Sequence, residues 1–228
     1  MYKKHTVSVV IPCYNEEGGI KLTCKMIPKF VDEVVVVDNL STDNTFRIAK
    51  KLGAKVIVEN NQGYGFALKK GIQKASGDLV VTIDGDATYP IEDIHVVIDY
   101  LLDQSLDFVS CSRFPLRNRD SMHWQNLLGN KFISYLMKVL FLREFKDGLS
   151  GMWVLKREVY RKLLPLSSSW NLSEEIKIEA YLHPEVKFDE YRVNYHPRHG
   201  KSKLWPFKVG VENIGYLFYL RFFKKRKY

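Results

Sequence analysis

The sequence has few of the features that would indicate secretion or a membrane span. Its three cysteines, Cys13, Cys24 and Cys111, are scattered without the spacing of a metal site. Such cysteines are typical of reduced thiols in a cytoplasmic protein. No run reaches the ~18 consecutive apolar residues that a membrane-spanning helix needs, and no signal peptide precedes the first strand-like segment. The sequence therefore predicts a protein that does not cross a membrane by itself.

Acidic residues are nearly absent from the carboxyl-terminal end. Residues 197–228 contain nine Lys or Arg and one acid, Glu212, so most of the chain's net charge of +9 lies there. A localised basic segment predicts an anionic partner, which can be a phosphate, a membrane surface or a nucleic acid. Charge alone does not decide among them.

Short apolar runs alternate with amphipathic segments through the first half of the chain. Strands covered on both faces are predicted at 7–11, 34–37, 55–58 and 79–83, with helices at 18–30, 42–52, 64–75 and 91–102. This alternation predicts an α/β fold with a mostly parallel sheet and right-handed crossovers. Ligands bind to such sheets at the carboxyl ends of the strands. Later elements are predicted at 108–112 (strand), 124–142 (helix), 173–181 (helix) and 186–193 (strand).

Two carboxylates directly follow the fourth apolar run. Asp84 and Asp86 stand two residues apart with Gly85 between them, so a bent backbone can direct both side chains at one ligand. Mg²⁺ and Mn²⁺ prefer oxygen ligands, usually one or two carboxylates plus substrate phosphates. An acidic turn ahead of a helix is the alternative for an isolated pair. The position of the pair behind a buried strand favours a metal site.

Polar clusters also follow the first and second apolar runs. The first contains Pro12, Tyr14 and Glu16, and the second begins with Asp38 and includes Ser41. Both are expected at the same edge of the sheet as the two aspartates. The Asp38 carboxylate can accept the ring N–H of uracil or guanine, and Tyr14 can stack on or pack beside that base. Ser41 is the predicted N-cap of the next helix.

Together these motifs resemble the inverting glycosyltransferases of family 2, which have the GT-A fold. The resemblance covers about residues 7–151 and includes Gly63-Tyr64-Gly65 ahead of the third helix. Within the family it is closest to the dolichyl- or polyprenyl-phosphate sugar synthases. That narrower likeness rests on Ser112-Arg113, on residues 147–152, and on residues 198–203, which look like the family's Arg-x-Gly-x-Ser-Lys segment. The implied fold is a Rossmann-like, mostly parallel central sheet flanked by helices, with a carboxyl-terminal amphipathic basic helix.

The resemblance implies a role for each matching residue. The donor would be a UDP- or GDP-sugar, and transfer would invert the anomeric carbon in a single displacement. The implied nucleoside-binding residues are Pro12, Tyr14, Glu16 and Asp38. Asp84 and Asp86 would bind Mg²⁺ or Mn²⁺ and the donor diphosphate. Arg113, Arg198 and Lys203 would face the donor and acceptor phosphates and would form the catalytic set with Asp86.

Three positions depart from the family pattern. Asn39 stands where many members have a second Asp, which weakens any role in binding a metal. Tyr64 stands where many have a Lys, so one phosphate contact is missing. Thr88 occupies a position that is often Gln in the mannosyl-phosphate synthases, which makes GDP-mannose a less secure donor.

Two classes of acceptor remain open from the sequence. A polyprenyl or dolichyl phosphate, which the resemblance favours, is already anionic and needs no strong base. A hydroxyl acceptor needs a general base, for which the sequence offers Asp147, Glu174 and Glu175. The two glutamates also suit an ordinary place in the first turn of a helix.

The residue pattern of the basic tail predicts where the protein is located. Its apolar residues recur at helical spacing ahead of the basic residues 224–227; they are Trp205, Phe207, Val211, Ile214, Leu217, Phe218 and Phe222. This pattern predicts an amphipathic helix lying in the plane of an anionic membrane surface. The alternative is that the apolar stripe packs on the domain. A nucleic-acid partner is disfavoured because the aromatic residues follow a helical stripe and not the spacing of a base-stacking sheet.

These features predict two segments and one location. Residues 1–203 are the predicted catalytic domain, and residues 204–228 are the predicted membrane-surface tail. We expect a peripheral protein at the cytoplasmic face of a membrane, where a membrane-protein partner can assist docking.

Overall fold

A computed structural model describes residues 1–163, 165–200 and 205–226, and these residues contain one seven-stranded sheet. The strands are β1 (Val7–Cys13), β2 (Glu33–Asp38), β3 (Lys55–Val58), β4 (Leu79–Thr82), β5 (Phe108–Ser112), β6 (Trp153–Lys156) and β7 (Phe188–Arg192). Their order is β3-β2-β1-β4-β6-β5-β7, and β6 alone runs antiparallel to its neighbours. The predicted α/β class with a mostly parallel sheet is confirmed.

Helices cover both faces of the sheet. They are α1 (Glu17–Met26), α2 (Thr45–Lys51), α3 (Tyr64–Lys74), α4 (Ile94–Asp103), α5 (Trp124–Phe141), α6 (Arg157–Leu163), α7 (Leu172–Leu182) and α8 (Pro206–Phe222), with 3₁₀ turns at Ile91–Asp93 and Arg119–Ser121. Side chains of α1, α2 and α4 pack on one face, and those of α3, α6 and α7 pack on the other. Because both faces are covered, the central strands β1 and β4 are buried along their whole length and consist mostly of apolar residues.

The strand β6 was not predicted, and it determines the shape of the site. It lies between β4 and β5, where the Trp153 amide donates to Thr82 Oγ1 at 3.1 Å and the Trp153 indole N–H donates to Ser150 O at 2.8 Å. The strand is as short as β3 and β4, but it lies outside the strand–helix alternation that identified those two. Its position brings the preceding Gly151 beside Asp84.

A third apolar cluster joins α8 to the domain. Leu217 and Leu220 of α8 are fully buried against Ile133 and Met137 of α5 and Ile178 of α7. The apolar stripe of the tail is therefore divided, since part of it packs on the domain and does not face outward.

The remaining apolar side chains of α5 and α8 face outward. Those exposed on or beside α5 are Trp124, Leu128, Phe132, Tyr135, Val139 and Leu142, and those on or beside α8 are Trp205, Phe207, Val211, Phe218, Tyr219, Phe222 and Phe223. The spacing of three and four along α5 places its members on one helical face. In the described part of the chain no helix is both long and apolar enough to span a membrane.

The basic residues after α8 are not all available to a partner. Lys224 Nζ lies 2.7 Å from Glu175 Oε1 and 3.2 Å from Glu179 Oε1, and Arg226 Nη2 lies 3.1 Å from Glu179 Oε1. Two cations of the predicted polybasic end therefore bind α7, while Lys225 is exposed. The division at residues 203 and 204 stays a prediction.

Candidate functional site

A large cavity lies at the carboxyl ends of β1 and β4. Its volume is about 1160 Å³, and seven of the predicted site residues line it: Pro12, Tyr14, Glu16, Asp84, Asp86, Arg113 and Arg198. Asp38 ends the neighbouring strand β2 but is not part of the wall, and Lys203 lies outside the described residues. The cavity extends from this edge into a groove between α5 and α8, which Gly129, Ile133, Val209 and Gly210 line.

The two aspartates after β4 reach the cavity from a turn. Ala87 has a φ of 60°, so the backbone bends sharply beyond Asp86. Asp86 Oδ1 accepts the amide of Thr88 at 3.1 Å and the hydroxyl of Thr88 at 2.7 Å. Asp84 Oδ1 accepts the hydroxyl of Tyr64 at 3.2 Å. Thr88 and Tyr64, two of the departures from the family pattern, thus each orient one of the carboxylates.

The electrostatics of this pair fit a divalent cation. Burial, and next the charge of Asp86, raises the pKa of Asp84 to about 7. A hard ion bound by both carboxylates would relieve this excess of negative charge, and all their donor atoms are oxygens. The described residues contain no group of three or more His, Cys, Asp or Glu suited to a metal.

Arg198 joins two of the predicted site residues. Its Nη1 lies 2.8 Å from Asp86 Oδ2, and its Nη2 donates to Glu16 Oε1 at 2.5 Å. The flanking backbone is tied to the turn after β4, because the amide of His199 donates to Asp86 O at 3.0 Å. A guanidinium held here can face the same diphosphate as a metal bound by the aspartates.

Asp38 has an unsatisfied oxygen at the end of β2. The residue is 5% exposed, and its Oδ1 has no hydrogen-bond partner among the described residues. A buried acceptor of this kind is costly unless a ligand or water satisfies it. The next residue, Asn39, holds neighbouring loops together. Its side-chain amide donates to Glu59 O at 2.9 Å and Asn61 O at 2.8 Å, and its side-chain oxygen accepts the Gly63 amide at 2.7 Å.

The helix cap predicted for Ser41 is wrong. The N-cap of α2 is Asn44, and Ser41 Oγ accepts the amide of Asn15 at 3.0 Å instead. Ser41 therefore links the loop after β2 to the loop after β1, which carries Tyr14 and Glu16.

Arg113 forms a buried ion pair with Asp147, although the sequence predicted only that it would face phosphates. Its Nε and Nη2 lie 2.7 and 2.8 Å from the two carboxylate oxygens of Asp147, and its Nη2 also donates to Asn130 Oδ1 at 2.9 Å. Burial opposes ionisation of Asp147, but Arg113 and then Lys177 hold the pKa of that carboxyl below its usual value. Arg113 therefore enters the cavity wall as half of a buried bidentate pair.

The three candidate bases do not line the cavity. Asp147 is engaged by Arg113, and Glu175 accepts the amides of Leu166 at 3.0 Å and Ser167 at 2.7 Å. Glu174 is fully buried, and burial raises its pKa well above the usual value. Asp147 and Glu175 therefore support the structure around the site, whereas neither carboxylate oxygen of Glu174 has a hydrogen-bond partner among the described residues.

Several residues around the site were not predicted from the sequence. Fully buried Lys177 donates to the carbonyls of Asp147, Gly148 and Ser150 at 2.8–2.9 Å, and burial lowers its pKa to about 8. It shapes the segment that holds Asp147. Trp170 was also missed, and it stacks on Tyr64 with ring centroids 4.7 Å apart. Lys177 lies between two isoleucines but close to three glutamates, so neither it nor Trp170 has a clear sequence signal.

Comparisons with known proteins agree with this geometry. A family model described as "Glycosyl transferase family 2" matches residues 8–164. The "Dolichyl-phosphate hexose transferase" of Haloferax volcanii is 32% identical over 216 residues, which cover 92% of this chain and 91% of that protein. The "Low-salt glycan biosynthesis hexosyltransferase Agl6" of the same organism is 28% identical over 93% of this chain, and the chain spans 53% of that relative's length.

Solved structures show the same fold. A crystal structure of glucosyl-3-phosphoglycerate synthase from Mycobacterium tuberculosis, in complex with Mn²⁺, uridine diphosphate and phosphoglyceric acid, superposes with a TM-score of 0.78. The match covers 98% of this chain and 81% of that one at 23% sequence identity. The structural neighbours are GT-A glycosyltransferases, so the predicted GT-A fold is confirmed.

Proposed function

The chain belongs to glycosyl transferase family 2, and on that premise we propose that it transfers a sugar from a UDP- or GDP-sugar to a polyprenyl or dolichyl phosphate. The observation that carries this proposal is the continuity of one cavity. It joins the Asp84–Asp86 edge of the sheet to the groove between α5 and α8, whose outer faces are apolar. A charged donor and a lipid-linked acceptor can meet in such a cavity.

The donor side is supported by the placement of complementary groups. Asp84 and Asp86 would hold Mg²⁺ or Mn²⁺, which neutralises charge on the leaving diphosphate. Arg198 lies 2.8 Å from Asp86 and would contact the same phosphates. Pro12, Tyr14 and Glu16 line the neighbouring wall, while the unsatisfied oxygen of Asp38 supports its role as the acceptor for a ring N–H of the base.

The positions of the three candidate bases support the proposal of a phosphate acceptor. A hydroxyl acceptor must lose a proton during transfer, and a general base must then lie within hydrogen-bond reach of it. None of the three bases that the sequence offered, Asp147, Glu174 and Glu175, lines the cavity, although Asp120 and His123 do line it. A phosphate acceptor is already anionic and needs no such base. Arg113 and Arg198 line the cavity as candidate phosphate contacts, although in the structure they are paired with Asp147 and with Asp86 and Glu16. Lys203, which the described residues do not include, stays a proposed member of this set.

The outward faces of α5 and α8 support docking at an anionic membrane surface. Burying each large apolar side chain in lipid contributes roughly 1.5–3 kcal/mol, and the exposed stripe on α5 includes Trp124, Phe132 and Tyr135. The proposed location is the cytoplasmic face, and a membrane-protein partner would bind the same surface. Phe132→Glu should reduce co-sedimentation with anionic vesicles, and Val96→Glu, an exposed site on α4, is the matched control.

The decisive experiment is a transfer assay with purified protein. UDP- and GDP-sugars are screened with Mn²⁺ and a polyprenyl phosphate in detergent, and the labelled lipid product is measured. We expect one donor to yield an EDTA-sensitive glycolipid, and we expect Asp86→Ala to abolish its formation while the fold persists. Transfer to a free sugar hydroxyl but not to lipid phosphate would refute the proposed acceptor. EDTA-resistant activity of the Asp86 variant would refute the metal assignment.

A further inference from the structure

The carboxylate of Asp84 accepts a hydrogen bond from a side chain on another element. The hydroxyl of Tyr64, the first residue of α3, donates to Asp84 Oδ1 at 3.2 Å across the end of the sheet. Tyr64 lines the cavity but its hydroxyl is engaged with Asp84. This hydrogen bond favours one rotation of the carboxylate and occupies one of its two oxygens.

A glycine makes this contact possible. A Cβ atom added at Gly151 would lie 2.5 Å from the Tyr64 hydroxyl and 3.2 Å from Asp84 Oδ1. Any larger residue at this position, which directly precedes Met152 and β6, would push the phenol away from the carboxylate. Tyr64, Asp84 and Gly151 therefore form one closely packed unit.

The ring of Tyr64 is held from its other side by Trp170. The two rings stack at 4.7 Å between centroids with an interplanar angle of 15°. Two residues before Trp170, the carbonyl of Ser168 accepts the amide of Phe66 at 3.2 Å. A Cβ at Gly65 would lie 2.6 Å from the carbonyl carbon of Ser168, so the start of α3 and this loop are in direct backbone contact. The loop that carries Trp170 thus fixes the position of Tyr64.

Groups that hydrogen-bond to metal ligands determine ligand orientation, and their loss typically costs ~10–100-fold in metal affinity. We propose that Tyr64, locked by its stack on Trp170, is a positioning residue that orients Asp84 toward the divalent cation. This inference rests on the proposed metal site at Asp84 and Asp86. It assigns to Tyr64 a role in metal affinity, whereas the sequence indicated only that a phosphate contact was missing.

The test measures Mn²⁺ binding directly, without turnover. Full-length wild type and Tyr64→Phe are titrated with Mn²⁺ in the presence of UDP, and free Mn²⁺ is followed by electron paramagnetic resonance. We expect the variant to bind Mn²⁺ about 10-fold more weakly. Its melting temperature and its affinity for UDP in EDTA should remain those of the wild type, because the ring and its stack are kept.

Matched variants separate positioning from general packing. Tyr100→Phe removes a tyrosine hydroxyl that donates to Asp189 Oδ2 at 2.5 Å, on α4 and outside the cavity wall. It should leave Mn²⁺ binding unchanged. Trp170→Phe, which retains an aromatic partner for Tyr64, should bind Mn²⁺ more tightly than Trp170→Ala does.

The outcomes distinguish this inference from the function on which it rests. If Tyr64→Phe binds Mn²⁺ within twofold of wild type while Asp84→Asn binds it much more weakly, the positioning role is refuted and the metal site stands. If Asp84→Asn binds Mn²⁺ as wild type does, the metal site itself is refuted, and the role of Tyr64 falls with it.

Discussion

Replacement of Arg113 by alanine tests the buried pair at the cavity wall. The variant leaves the Asp147 carboxylate, which is 0% exposed, without the guanidinium nitrogens that lie at 2.7 and 2.8 Å. Breaking a buried ion pair from one side typically costs ~3–5 kcal/mol. The backbone amide of residue 113, at 2.9 Å from Asp147 Oδ2, remains, and Lys177 stays nearby. We therefore expect the free energy of unfolding to fall by about 3 kcal/mol at pH 7.

The pH dependence of this loss has a definite sign. In the wild type, Arg113 overcomes the effect of burial and holds the pKa of Asp147 below its usual value. A depressed pKa stabilises the folded state above the unfolded pKa of ~3.9, and this stabilisation is lost as the pH falls. In the variant, burial is less opposed, so the pKa of Asp147 should rise. The difference between the two proteins should therefore shrink as the pH falls toward ~3.

Urea unfolding at pH 7 and at pH ~3 measures both expectations. Arg117→Ala, an exposed site on the same loop, is the control and should cost less than about 0.5 kcal/mol. Asp147→Asn and the double variant complete a mutant cycle, which should give a coupling energy above about 1 kcal/mol. A loss below about 1 kcal/mol for Arg113→Ala, or strictly additive effects in the cycle, would show that the pair contributes little.

Three further perturbations test other parts of the chain. Asp38→Ala should raise the KM for the nucleotide sugar at least ~10-fold and leave the KM for lipid phosphate unchanged, because it removes a charged acceptor for the base. Lys224→Met should lower the free energy of unfolding by ~2–4 kcal/mol, since it removes the cation beside buried Glu175 and one of the two cations beside buried Glu179. Glu33→Gln should cost up to ~3 kcal/mol at pH 7, because hydrogen bonds from Lys55, Ser8 and Ser76 overcome burial and lower the pKa of Glu33 to about 2. That cost is present above pH ~4.5 and should vanish as the pH approaches ~2.

Each of these three variants has a result that would contradict the prediction. Equal effects of Asp38→Ala on both KM values would make that residue structural. Exposed Lys225 is the control for Lys224, and similar losses at the two positions would contradict a specific contact with α7. A difference between wild type and Glu33→Gln that does not change between pH 7 and pH 3 would contradict the assigned pKa.

The sequence alone was sufficient for features that depend on short stretches of chain. Apolar, mostly β-branched runs identified β1 to β4. Such runs are expected of strands covered on both faces, and β1 and β4 are buried along their whole length. The pair Asp84–Asp86 was recognised because it follows one of these runs, and the parallel topology places such positions at one edge. For the same reason Tyr14 and Glu16 were expected in the same site, and they line the same cavity as the aspartates.

Local sequence patterns could not predict contacts between segments that are far apart in the chain. The pairing of Arg113 with Asp147, and of Glu175 with Lys224, joins residues 34 and 49 positions apart. A charged side chain looks alike in a sequence whether it faces solvent, phosphate or a buried counter-ion. Asp147 and Glu175 were therefore candidate bases until the fold showed what each one contacts.

Only the tertiary structure showed which groups contact Asp84 and which apolar side chains of α8 are buried. Tyr64 reaches Asp84 only because the unpredicted strand β6 brings Gly151 beside them and a loop near α7 supplies Trp170. Along α8 the spacing revealed an apolar stripe, but packing determined that Leu217 is buried while Phe218 and Phe222 stay exposed. Periodicity records which side chains share a helical face, whereas burial depends on which other helix lies against that face.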